Sequence, residues 1–114
     1  MNRKIIVSKE KMDLFNRGLS HLKKAFEKGN EKKGHDVAAD NIFRKYINKY
    51  RDDTDGCCEA YNKLGEIYIH KGNHIRAITC LSYALKLNAM HTGALFNMAQ
   101  AQVMVNQYTL AMDC

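Results

Sequence analysis

Proline is absent from the whole chain of 114 residues. That absence removes the commonest helix breaker from the interior of every segment, so long uninterrupted helices form easily. Long apolar runs are missing too: the longest, such as Ile5-Ile6-Val7, fall far short of the roughly 20 residues a membrane span needs. No basic stretch leads into an apolar signal region. These absences point to a soluble protein of the cytoplasm. The four cysteines, Cys57, Cys58, Cys80 and Cys114, give neither a CxxC pair nor the spacing of a small disulfide framework, and read as free thiols in a reducing compartment.

Catalytic signatures are equally lacking. There is no glycine-rich phosphate loop, no nucleophile elbow and no carboxylate pair placed for acid and base roles, so an enzyme is not expected. His70 and His74 are four apart, a spacing that on one helix would suit a metal. Gly72-Asn73 lies between them as a turn, however, and makes them loop histidines. Cys57 and Cys58 are adjacent and diverge on a helix. Neither a metal nor any other cofactor is expected.

What is present fits one globular domain: 46% of residues are apolar and 26% charged, and the length allows a single core. The charge is unevenly placed. Residues 1 to 51 hold 14 Lys and Arg against 6 acids, a net of +8, whereas residues 52 to 114 hold 4 against 6, a net of −2. Such asymmetry marks an acidic partner, nucleic acid or an anionic surface, or else a solvated helix face.

Apolar residues recur at steps of three and four throughout, with no sustained alternation, so the fold class is all-α. From Ser8, Met12, Phe15, Leu19, Leu22 and Phe26 form one stripe that ends near Gly29. Asp36 is placed to cap a second helix carrying Ala39, Ile42, Phe43, Tyr46, Ile47 and Tyr50. Asp52, Asp53, Thr54 and Asp55 supply oxygens for the amides of a third helix, through Tyr61, Leu64, Ile67 and Tyr68. A fourth runs from about His74 to Asn88, and Thr92 precedes a fifth. Turns are predicted near residues 29–35, 52–55, 72–73, 88–91 and 106–107; the last of these starts a short sixth helix.

The chain matches itself at a period of 34. Tyr61, Leu64, Gly65, Tyr68 and Ala77 are followed 34 residues later by Leu95, Met98, Ala99, Gln102 and Ala111. Tyr61-x2-Leu64-Gly65-x2-Tyr68, then Ala77-x3-Leu81 and Ala84, resembles the tetratricopeptide repeat, with Ala89 where that family usually has proline. The resemblance implies an α-solenoid of antiparallel helix hairpins, about six helices in a single domain over residues 1–114. Within it, 8–51 is a degenerate repeat, 58–91 a clear one and 92–114 an incomplete one.

In that family the first helix of each repeat lines a concave groove that takes a peptide or helix of a partner protein. Carried onto this chain, the groove comprises Glu59, Asn62, Glu66, Ile69 and His70 from one repeat, and Phe96, Asn97, Gln100, Val103 and Met104 from the next. Glu66, with no paired Lys or Arg beside it in sequence, disfavours the anionic chaperone tail that some members clamp. The expected function is a protein-interaction scaffold or adaptor. The alternative is a nucleic-acid-binding helical repeat using Lys23, Lys24, Lys28, Lys32 and Lys33, disfavoured because Phe15, Phe26, Phe43 and Tyr46 are assigned to the core and no ring is left for base stacking. An array's last unit needs a polar cap, and none is evident here, so the C-terminal end is expected to form a homodimer, bind another molecule or meet a continuation of a longer parent protein.

Overall fold

The structure is a computed structural model, and it describes residues 3–27 and 34–113, with side chains described for 7–27, 34–107 and Thr109. Five helices follow one another: α1 (Arg3–Phe26), α2 (His35–Lys49), α3 (Thr54–His70), α4 (His74–Leu87) and α5 (Thr92–Asp113), and no strand occurs among the described residues. Each helix packs on the next. α1 also touches α3, and α3 touches α5, so the odd-numbered helices lie side by side as one layer. The result is a short array of antiparallel hairpins, α1 with α2 and α3 with α4, closed by α5. The all-helical reading holds, while the helix count corrects from six to five. Asn106 and Gln107 do not turn: neither glycine nor proline interrupts that stretch, and α5 continues through it.

The hairpins are set by close approach at two glycines. A Cβ built on Gly65 would stand 2.6 Å from the Cγ and Cδ2 of Leu81 on α4. Gly18 does the same in the first hairpin, where a Cβ would meet the ring of Phe43 at 2.8 Å and Ile42 at 3.2 Å. Ala39, Phe43, Ala60, Leu64, Ile67, Ala77, Leu81 and Ala84 are all fully buried around these crossings. Small residues let the axes come together, and the large neighbours fill what remains.

Along α1 the buried stripe is Leu14, Gly18 and Leu22, with Phe15 and Leu19 half-buried. Two residues assigned to the core from sequence are corrected here: Met12 is 63% exposed and Phe26 39%. The helix also starts at Arg3, before Ser8. Its apolar residues outnumber what one packed face can cover, which is why a three-four pattern alone misplaced the stripe.

The turns are closed by specific caps. Gly34 (φ 114°) and Gly72 (φ 81°) take the left-handed conformation that glycine adopts without strain. The Asp53 side chain accepts from the Gly56 amide at 3.1 Å, and that of Asn73 accepts from the Arg76 amide at 3.2 Å. Asp36 is not the cap expected of it: Gly34 stands at that position and Asp36, one residue into α2, pairs with Lys71 at 3.3 Å. The turn before α3 ends at Asp53, since Thr54 and Asp55 are already helical.

Replacing Gly65 by leucine puts a branched side chain into the space held by Leu81, and overpacking of this kind costs about 1 to 3 kcal/mol or more. The expected outcome is a clearly lowered midpoint in thermal or urea denaturation followed by helical circular dichroism.

Candidate functional site

On the layer made by α1, α3 and α5, α3 is the central helix and keeps one face only half-buried: Glu59, Lys63 and Glu66 stand there, with Asp55 and His70 exposed at its two ends. Across to α5 runs a row of polar contacts. The Asn97 Nδ2 donates to Asn62 Oδ1 at 2.9 Å and to Glu66 Oε1 at 3.5 Å. Lys63 Nζ donates to the same Glu66 oxygen at 3.3 Å, so Glu66, against the sequence expectation, has a lysine partner three residues away. Asn62 is buried to 3% exposure beneath this row, so its amide is committed to packing α5 onto α3.

Glu59 meets His91 at 2.5 Å. His91 also accepts, through Nδ1, from the Ala94 amide at the start of α5 (2.9 Å). With Nδ1 an acceptor, Nε2 carries the proton and donates to the carboxylate, so this one ring both caps α5 and ties it to α3.

Of the residues predicted for the groove, Glu59, Asn62, Glu66 and Asn97 therefore come together in one row. Ile69 is half-buried against the core, and His70 lies at the far end with its ring centroid 4.5 Å from that of Phe26. Gln100 is exposed and Met104 half-buried. Phe96 and Val103 are exposed to 72% and 54%; they stand on the open side of α5, away from Asn97. His74, read as a loop histidine, is instead the first residue of α4 and is buried.

On the other flank of α3 a cleft of about 410 Å³ opens towards α1. Met12, Phe15 and Tyr46 supply its apolar surface, and Lys11, Asp53, Asp55 and Glu59 its charges. Tyr46 Oη donates to Asp53 Oδ2 at 2.7 Å, and Lys11 Nζ lies 3.3 Å from the same oxygen. The Tyr46 bond, helped by the Gly56 amide and Lys11, outweighs burial and holds the Asp53 carboxyl below its ordinary range. Burial together with Asp53 pushes the Tyr46 hydroxyl well up. Sequence reasoning missed this cleft because Met12 and Phe15 were both assigned to the core; the usable signal was that Met12 and Phe15 are three residues apart beside Lys11 and so share one side of a helix.

Cys57, Cys58 and Cys80 are buried free thiols. Burial raises all three thiols; Cys57 Sγ and Cys58 Sγ donate to the Tyr50 and Ala84 carbonyls at 3.2 and 3.3 Å. Such thiols are poor nucleophiles. Among the described residues no group of three His, Cys, Asp or Glu is placed to hold a metal ion, and no helix is long and apolar enough to cross a membrane. Lys23 and Lys24 are exposed on α1, while Lys28, Lys32 and Lys33 lie outside the described residues.

The paired hairpins with a small residue at each crossing define a helical-repeat protein. Residues 58–90 match the family model of the tetratricopeptide repeat, and the chain carries a repeat of that family there, around the Gly65–Leu81 crossing. No curated protein and no solved structure matches the chain. Tetratricopeptide repeats are in general modules for protein interaction and typically serve as scaffolds without enzymatic activity.

Asp53 caps α3, accepts from Tyr46 and pairs with Lys11. Asp53→Asn keeps a capping oxygen but removes the charge, so stability at neutral pH should fall by up to about 1 kcal/mol, the scale of a lost partly exposed ion pair. Its folded carboxyl lies below the unfolded value, so the stabilisation is present above the ordinary carboxylate range and lost as pH falls through the folded value. Urea denaturation of both proteins at several pH values checks this: the difference between them should shrink as the pH drops below about 4.

Proposed function

We propose that the layer formed by α1, α3 and α5 binds an extended segment or helix of a partner protein, making the chain an interaction scaffold or adaptor of the cytoplasm. One observation carries this reading: on a single face an apolar cleft at Met12, Phe15 and Tyr46 lies next to the polar row of Lys63, Glu66 and Asn97. A large exposed methionine adapts its shape to an incoming side chain at little conformational cost, and hydrogen-bonding groups beside it fix direction and register. The same reading takes residues 8–51 as a degenerate repeat, on the strength of the Gly18–Phe43 crossing, and 92–114 as an incomplete one.

Nucleic acid is the less favoured ligand. Phe15, Phe43 and Tyr46 are taken up by packing. Phe26, contrary to the sequence expectation, keeps over a third of its surface, but its ring lies beside His70.

Capture from native lysate on immobilised protein, followed by affinity measurement with the retained protein, tests the proposal. Met12→Glu and Gln100→Glu change exposed residues on the two flanking helices and should leave the melting temperature unchanged. Each should weaken binding about tenfold, or about 1.4 kcal/mol. Capture indifferent to both changes would remove the groove, and a shift of DNA or RNA mobility that fades with salt would favour the basic half instead.

A further inference from the structure

We propose that the outer face of α5 pairs with the same face of a second copy of this chain, the two helices antiparallel about a two-fold axis through Ala99. The starting point is composition. Although 26% of the chain is charged, no charged residue occurs from Thr92 to Met112. A helix with apolar residues on all sides belongs in an interior. Here only one side is covered: Ala94 and Ala101 are fully buried, while Leu95 and Val103 are exposed to 44% and 54%.

The uncovered side is the one that α3 buries. Tyr61, Leu64, Gly65 and Tyr68 of α3 lie at or within the contact with α4, and their counterparts 34 residues on are Leu95, Met98, Ala99 and Gln102, of which all but Met98 are exposed. Residues 106–113 continue α5 instead of folding back over it, so none of the described residues covers this face.

The identity of the occupant follows from how the face is arranged about its centre. Ala99 is the small residue, and four positions to either side stand Leu95 and Val103; seven to either side stand Thr92 and Asn106. All five are exposed, and steps of four and seven return to the same side of a helix. An antiparallel copy centred on Ala99 therefore sets Leu95 against Val103 of the second copy and Thr92 against its Asn106, each contact made twice. Apolar meets apolar and polar meets polar. On a two-fold axis a side chain meets its own duplicate, so any charge placed there is repelled, and this stretch carries none. Ala99 against Ala99 allows the axes the close approach that Gly65 allows α3 and α4.

Sedimentation equilibrium of the 114-residue chain, from about 10 to about 500 µM, reads the prediction over the affinity range expected of a modest interface. The wild type should be dimeric in the upper part of the range. Leu95→Lys and Val103→Glu should each be monomeric with unchanged helical circular dichroism, because both residues are exposed. Mixed in equal amounts, the two variants should dimerise again, since the Leu95→Lys chain meets the Val103→Glu chain at one contact and keeps the native pair at the other. A wild type that is monomeric throughout overturns the proposal, as does a dimer that survives both substitutions. Variants that are monomeric singly and stay so when mixed overturn the antiparallel register about Ala99.

Discussion

The separation of the two helices in each hairpin is the constraint on which everything else rests. Gly18 and Gly65 hold it: with a Cβ at either position the facing Phe43 or Leu81 would have to move, and with it the helix that carries it. Because a close crossing fixes both distance and rotation of the pair, it also decides which side of α1 and α3 is left over to face the next hairpin. The exposed face of α3 is a consequence of where Leu81 sits on its opposite side.

Polar pairs, by contrast, set one hairpin against the next. Tyr68 Oη donates to Asp40 at 2.7 Å and accepts from Arg44 at 2.9 Å, joining α2 to α3, and its hydrogen bond holds the Arg44 guanidinium even more firmly protonated than usual. Asp36 reaches Lys71 across the same boundary; burial favours the neutral acid, but the Lys71 bond and charge together with the backbone amides of Val37 and Asp36 outweigh it, so the carboxyl is held below the ordinary range. Lys11, Asp53 and Tyr46 tie α1 and α2 to the start of α3, and Asn62 with Asn97 ties α3 to α5. Apolar contact is tolerant of small rotations, whereas hydrogen bonds are not. Placing them at the boundaries makes the angle between one hairpin and the next more definite than packing alone would.

Residues 58–91 were legible in the sequence because every rule agrees there: a helical period, a glycine at a crossing and caps at both ends point to one hairpin. The polar row was partly legible, since Asn62, Glu66 and Asn97 could be placed on first helices by register, although nothing in sequence indicates that Asn62 is buried. The failures have a common cause. Met12 and Phe26 obey the apolar spacing as well as Leu14 and Leu22 do, yet only the partner helix decides which set is covered. Asp36 and Asp53 look alike as capping candidates, and a long-range lysine, Lys71, separates their roles. The His91 bridge spans 32 residues from Glu59, a distance over which local pattern carries no information.

The misread turn at Asn106-Gln107 has a physical reading of its own. A helix pattern specifies its end through glycine, proline or a cap, and the three internal ends on the C-terminal side of α2 to α4 have such signals in Asp53, Gly72 with Asn73, and Asn88, whose side chain accepts from the Met90 amide. α5 has none. Its uncharged surface also gains nothing from stopping, because no polar face has to be turned to solvent at that point. A segment that continues straight keeps the Leu95, Ala99 and Val103 side open along its length, whereas one that folded back would close it. The lack of a stop signal and the lack of charge therefore act in the same direction, towards a long helix with one side uncovered, while the Met12 cleft lies on the opposite flank of α3.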